Sequence, residues 1–258
     1  MAHVDVNGAR LWVEEEGSGP SVVFVHGGLG DNRLWAPVAR RLASRFRCIR
    51  YDLRLYGRSE SPGMEFSAID DALGVLDALD VDRAAFVGLS LGGGLALDVV
   101  LAHPERAWAL AHVAAGVTGM PVDVYTAEQG AAFEEAEASG DLDAMMRIDF
   151  DVWAPLGASD ELRELWLRTP DARGVPEGTA SRPRPDARLE DVSVPTLVVV
   201  PSHDPPAQQE VGRTVARRVP GARLVELESD HYLTLREPER LSAVLEDFLV
   251  SASSRASS

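Results

Sequence analysis

Apolar positions along the 258-residue chain alternate between two regimes. Ser21-Val22-Val23-Phe24-Val25 is a continuous apolar run. It lies between Gly17-Ser18-Gly19-Pro20 and His26-Gly27-Gly28-Leu29-Gly30. A short run bounded by turn residues is what a strand buried on both faces of a parallel sheet requires. The same reading gives strands at 46–52, 84–87, 108–114, 194–200 and 223–227, and a weaker, alternating one around Leu11-Trp12-Val13. Between them, apolar residues recur at three- and four-residue spacing over 34–43, 66–79, 90–101, 208–218 and 237–250, which predicts helices. His103-Pro104 stops the helix that begins at Ser90. Strands alternating with helices predict an α/β fold, a mostly parallel sheet with helices on both faces.

The rhythm changes near residue 116. From 118 to 190 there are helical patches at 131–138, 142–150 and 161–167, but no convincing strand. The end of this stretch, 169–187, is rich in Pro, Gly and Arg and reads as a loop. The predicted organisation is a core of 1–117 and 191–250, interrupted by a helical insertion at 118–190 over one end of the sheet. Residues 251–258 form a small polar tail, predicted to be disordered.

Composition narrows the function. The formal charge is −16, and a surface this acidic disfavours nucleic acid and anionic membranes as partners. All 25 basic residues are arginine, so lysine Schiff-base chemistry and lysine-dependent phosphate loops are excluded. Cys48 is the single cysteine, which rules out an intrachain disulfide. No metal-binding or dinucleotide fingerprint is present, and no metal or cofactor is expected. No basic, apolar leader and no run of about 18 apolar residues is seen, so a cytoplasmic protein with a small-molecule substrate is the expectation. The sequence leaves the oligomeric state open.

The candidate chemistry centres on Gly88-Leu89-Ser90-Leu91-Gly92-Gly93. It joins a predicted strand to a predicted helix by a sharp turn that holds a serine at its apex, at the positive end of the helix dipole. A serine hydroxyl needs a base to take its proton. In an open α/β sheet that base belongs in a loop after the carboxyl end of a strand. His231, in Glu228-Ser229-Asp230-His231-Tyr232, follows the strand at 223–227 and is the best candidate. Asp204 follows the preceding strand and is the carboxylate expected to orient it. Asp230 is too close in sequence to reach the imidazole well, and His203 has the same problem with Asp204. His3, His103 and His112 read as structural, and His26 as a brace for its loop. The oxyanion of the reaction would be held by the backbone N–H groups of Leu91 and Gly28.

Taken together, His26-Gly27-Gly28, Asp52-Leu53-Arg54-Leu55-Tyr56-Gly57-Arg58-Ser59, the Ser90 turn, Asp204, and His231 followed by Glu237-Pro238-Glu239 resemble the α/β-hydrolase superfamily over nearly the whole chain. The order Ser, Asp, His matches. The resemblance is to the small, lid-bearing branch of esterases, enol-lactonases and carbon–carbon bond hydrolases, and it implies that 118–190 is a helical lid shaping the acyl pocket. Two positions depart from the pattern. Leu55 stands where a glycine is usual, which predicts a reshaped loop. The strand before the acid ends Pro201-Ser202-His203-Asp204 instead of in glycine. The expected activity is a serine hydrolase cleaving a small, largely apolar carboxylic ester or lactone through an acyl-enzyme. Alternatives on the same fold are a carbon–carbon bond hydrolase or a metabolite-tailoring enzyme (decarboxylation or cyclisation), and a non-catalytic ligand-binding protein. Trp35, Trp153 and Trp166 are read as core residues in preference to pocket residues.

Overall fold

The computed structural model describes residues 1–61, 66–120, 122–169 and 185–256. Its strands are β1 (Ala2–Val6), β2 (Ala9–Glu16), β3 (Ser21–Val25), β4 (Arg47–Tyr51), β5 (Ala84–Leu89), β6 (Ala107–Val113), β7 (Thr196–Pro201) and β8 (Arg223–Leu227). They form one sheet in the order β1-β2-β4-β3-β5-β6-β7-β8. The pairs β1–β2 and β2–β4 are antiparallel and all others parallel. The predicted α/β architecture is therefore the observed one.

Every residue of β5, β6 and β7 is buried, as is all of β3 except Ser21, which explains their uninterrupted apolar character. Alternate side chains feed two cores. Val22 and Phe24 belong to the one that α1 (Ala36–Leu42), α8 (Leu233–Arg236) and α9 (Pro238–Ala256) cover. Val23 and Val25 belong to the other, covered by α2 (Ala68–Ala78), α3 (Leu91–Ala102) and α7 (Pro206–Arg218).

The hairpin β1–β2 is the element that periodicity misses. β1 is an edge strand with one buried residue, so it shows no apolar run. Its signal is the turn. Asn7 and Gly8 both have positive φ, 47° and 76°, and Asn-Gly is the dipeptide best suited to a tight hairpin.

Between β6 and β7 the chain makes α4 (Ala127–Ser139), α5 (Leu142–Trp153) and α6 (Asp160–Trp166), with no strand among the described residues. Each helix start is capped by a side chain: Thr126 in a reciprocal capping box with Gln129, Asp141, and Ser159. Gly140 ends α4 in the left-handed conformation, φ 72°. The buried face of α5 and α6 (Met145, Met146, Phe150, Leu162, Leu165, Trp166) joins the first core beside Leu34, Trp35, Tyr232 and Leu233. The loop expected over 169–187 falls largely on residues 170–184, outside the described residues. Residues 251–256, expected to be a disordered tail, instead continue α9. Ala252 packs into the core, and the Ser253 and Ser254 hydroxyls donate to the Val250 carbonyl. Serine and alanine are compatible with a last helical turn when one side of it is buried.

The turn between β5 and α3 is a place where backbones approach closely. A Cβ on Gly88 would lie 2.2 Å from the Gly92 carbonyl oxygen, and one on Gly92 would lie 2.3 Å from that of Val25. Both obstacles are backbone. Gly88→Ala is expected to cost about 3 kcal/mol or more of stability, because only backbone displacement makes room. Gly130→Ala, inside α4 with no atom within 4 Å of the added carbon, is expected to gain about 0.5–1 kcal/mol. Urea titrations of the two variants check the opposite signs.

Candidate active site

The sheet order β3-β5-β6-β7-β8 sets the loops after these parallel strands side by side along one edge. Ser90 follows β5 as the N-cap of α3, at φ 52° and ψ −119°. A non-glycine residue held there carries strain of about 1–3 kcal/mol. Hydrogen bonds on both sides keep it in place. Ser90 N–H donates to the Val113 carbonyl (2.9 Å), and the Ser90 carbonyl accepts from the N–H groups of Gly93 and Gly94 (2.9 and 3.1 Å). Its side chain is half-buried.

The loop after β3 lies against this turn. A Cβ on Gly27 would stand 3.2 Å from that of Ser90, and one on Gly28 would face Leu91 at 3.8 Å and the Tyr56 hydroxyl at 3.7 Å. The Leu91 N–H heads α3, where the helix itself supplies no partner, and the Leu91 side chain lies beside Gly28.

His26 is fully buried and committed at both nitrogens. Nδ1 donates to the Gly27 carbonyl (2.8 Å) and Nε2 accepts the Leu53 N–H (2.9 Å). Burial pushes its pKa below the ordinary histidine value, against the pull of Asp52 and Asp31. It stays neutral and braces the loop, as the sequence suggested.

Asp52 fastens the neighbouring loop. One oxygen accepts from the Asn32 backbone and side-chain nitrogens (2.8 and 2.6 Å), the other from Arg58 N–H (2.7 Å). Ser59 Oγ donates to the Asp52 carbonyl at 2.6 Å, and Arg54 forms a buried two-pronged pair with Asp71, both contacts 2.8 Å. Within this frame Leu55 adopts φ 75°, the conformation that the usual glycine takes freely. The turn is kept at a strain of about 1–2 kcal/mol.

The loops after β7 and β8 are stitched together. Ser202 N–H donates to the Leu227 carbonyl and His203 N–H to that of Ser229, at 2.8 and 3.0 Å. This sets Asp204 opposite His231, and His231 Nδ1 lies 2.8 Å from Asp204 Oδ2, both side chains buried. The missing glycine before Asp204 therefore does not displace it. Asp230 turns away, to Arg236 Nε at 2.6 Å and to the N–H groups of Tyr232 and Leu156. His203 is exposed, and His103 sits at the end of α3 beside Glu105.

The insertion reaches this edge. Trp153, half-buried at the end of α5, stacks on His231 with ring centres 4.3 Å apart. Trp153, read from the sequence as core, packs half-buried against the margin of the first core, whereas Trp35 and Trp166 are fully buried. Behind it, Trp153 Nε1 reaches the Tyr125 hydroxyl (3.4 Å), and the buried Asp149 accepts from Tyr125 (2.6 Å) and Trp166 Nε1 (2.6 Å). Asp149 and Trp153 are four residues apart on one helix face, the only trace of this arrangement in the sequence. Beside Ser90, on the side of α3 and the loop after β6, lies a cavity of about 250 Å³, lined also by Leu91, Gly94, Gly116, Val117, Thr118 and Gln208. Sequence reasoning had singled out neither Thr118 nor Gln208. Among the described residues no three His, Cys, Asp or Glu side chains are grouped to hold a metal ion, and no helix is long and apolar enough to cross a membrane.

Comparison with known proteins agrees with this geometry. The model of the alpha/beta hydrolase family matches residues 22–244. 3-Oxoadipate enol-lactonase 1 from Acinetobacter baylyi is 26% identical, covering 95% of this chain and 94% of its own. 2-Hydroxymuconate semialdehyde hydrolase from Pseudomonas sp. strain CF600 is 28% identical over 96% and 93%. Rhodomycin D methylesterase from Streptomyces sp. strain C5 is 30% identical over 91% and 93%. Identity is near-equal across three substrates, so it does not choose among them.

His112 shares the fate of His26. It is fully buried, its Nε2 donates to the Gly116 carbonyl at 3.1 Å, and burial pushes its pKa down to about 4. Both histidines are neutral when folded, so the unfolded chain binds protons first as pH falls below the ordinary value of 6.5. Stability is full above that pH and falls below it, for His112 down to about pH 4, by up to about 1.4 kcal/mol per pH unit for each histidine. His112→Gln is expected to flatten the decline between pH 6.5 and 5 in urea titrations. An unchanged slope would sink this assignment.

Proposed function

The chain belongs to the alpha/beta hydrolase family, and on that premise we propose that it is a serine hydrolase cleaving a small, largely apolar carboxylic ester or lactone. The observation that carries the reading is the buried His231–Asp204 pair, on the two loops that complete the strand edge on which Ser90 stands. With Nδ1–H given to Asp204, His231 presents Nε2 as the basic nitrogen. It takes the Ser90 proton as Oγ attacks the carbonyl, then passes that proton to the leaving alkoxide. Asp204 holds the tautomer and stabilises the imidazolium. Gly28 and Leu91 N–H groups hold the oxyanion. Water, activated by the same His231, releases the acyl group from Ser90.

The strained backbone of Ser90 has a purpose in this reading. It keeps the hydroxyl clear of its own helix and at the positive end of α3. The helices at 118–190 serve as a lid, with Trp153 shielding one face of His231 from water. This fits a small molecule entering between the lid and the strand edge.

Hydrolysis of p-nitrophenyl butyrate tests the proposal. Ser90→Ala is expected to lower kcat by about 10³-fold or more, and Asp204→Asn by about 10⁴-fold with little change in KM, since the wrong tautomer is then favoured. Full activity in Ser90→Ala would exclude the acyl-enzyme. If wild-type protein turns over no ester yet a fluorophosphonate labels Ser90, cleavage of carbon–carbon bonds becomes the better reading.

A further inference from the structure

We propose that the cavity beside Ser90 is the acyl pocket, and that it selects a short acyl chain carrying a hydrogen-bond donor over one ending in a carboxylate. This rests on the serine hydrolase reading and specifies the substrate class of that site.

Position assigns the side. A leaving alkoxide must receive its proton from His231, so the leaving group lies at the imidazole, under Trp153. The cavity is lined by Ser90, by Leu91 and Gly94 of α3, by the loop after β6 and by Gln208 of α7, without His231. It therefore lies on the acyl side of the scissile bond. Its floor comes from the core of the fold. Gly94 and Gly116 open it: a Cβ on Gly116 would meet nothing within 4 Å, and one on Gly94 only the Gly116 carbonyl oxygen, at 3.4 Å. At about 250 Å³ it falls just below the range of about 300–1,000 Å³ that accommodates drug-sized ligands, which limits the chain to a few carbons.

Hydrogen bonding assigns the chemistry. Gln208 is buried, and its Nε2 donates to the Ala114 carbonyl at 3.1 Å. Its amide is thereby oriented: one N–H is used, and Oε1 and the second N–H are left to meet a ligand. Thr118 Oγ1 donates its proton to Asp98 Oδ2 at 3.0 Å. It can offer a ligand only lone pairs. Beside Ser90, the side chains lining the cavity thus present the Gln208 amide and the Thr118 oxygen, with no cation and with the buried Asp98 carboxylate directly behind Thr118. A hydroxyl on the acyl chain can donate to the Thr118 oxygen or to Gln208 Oε1. A carboxylate would be stripped of water near Asp98 with no cation to pair it, which is costly in a partly buried site.

The test compares kcat/KM for the p-nitrophenyl esters of acetate, butyrate, 3-hydroxybutyrate and monosuccinate. The hydroxybutyrate ester is expected to exceed butyrate by about tenfold, and the succinate ester to fall about 100-fold below butyrate. In Gln208→Leu and, separately, Thr118→Val the hydroxybutyrate-to-butyrate ratio is expected to drop towards one. Ratios within one preparation are independent of how much of a variant folds. Gly116→Ala and Gly94→Ala are expected to lower the butyrate-to-acetate ratio, because the added carbon shortens the pocket. Succinate turned over as fast as butyrate, or ratios that none of these substitutions moves, would overturn the pocket assignment while Ser90-dependent acetate hydrolysis left the parent reading intact. No ester turnover and no fluorophosphonate labelling of Ser90 would overturn both.

Discussion

The structure depends on a close approach of backbones at the turn between β5 and α3. Gly88 meets Gly92, and Gly92 meets the carbonyls of Val25 and His26, at separations where any side chain would collide. This contact fixes two things at once. It lifts Ser90 out of the sheet edge into its strained conformation. It also sets the height of the loop after β3 relative to that serine. With the start of α3 held against β3 and β5, Gly28 lies beside Leu91, the arrangement that the proposed oxyanion donors need before any substrate arrives. Preorganisation of this kind costs no rearrangement during reaction. Its cost is borne in folding, by strain that packing on both faces of the sheet must hold.

A second layer keeps the clamp from relaxing. Loops are the parts of a fold most free to move, yet the loops here are tied through buried polar groups. His26 joins the β3 loop to Leu53, Asp52 joins the next turn to Asn32 and Arg58, and Arg54 anchors that turn to Asp71. Each link uses charged or aromatic groups whose hydrogen-bonding capacity is largely consumed by structure. That is why His26, bound at both nitrogens, is unsuited to proton transfer, whereas His231 is bound by Asp204 at Nδ1.

How much of this the sequence revealed follows from the range of the forces involved. Buried parallel strands announce themselves, because both faces are apolar. β3, β5, β6, β7 and the helices covering them fell close to where periodicity put them. β1 did not, since an edge strand buries one residue in five and its turn, Asn7-Gly8, was the informative part. The polar tail read as disordered because its residues lack apolar weight, while its helix is supported by Ala252 against the core. In the site, Ser90, Asp204 and His231 were legible because each occupies a fixed place relative to a strand end. Leu55 was legible as a departure but not as a tolerated one, since backbone strain is visible only in φ. Trp153 was legible only as a core residue, and Gln208 and Thr118 were hidden. They reach the site through packing between segments far apart in sequence, and no local spacing marks them.

These hidden residues divide the site's surroundings into two parts of different origin. On the side of His231, contacts come from the insertion. Trp153 is held by Tyr125 and Asp149, and the Asp230–Arg236 pair ties residues 156 and 157 to the very loop that carries the histidine. On the other side of Ser90, the wall is built from α3, the loop after β6 and Gln208 of α7, with glycines where volume is needed. The core fixes geometry that every substrate of the reaction must share, so its wall is constrained by the sheet. The insertion touches the rest of the chain through a few polar ties and one apolar face, so it can change with less effect on the clamp. A change of leaving group should then be accommodated by residues of α4–α6, whereas a change of acyl chain has to be made in the tightly packed surroundings of α3, one small residue at a time.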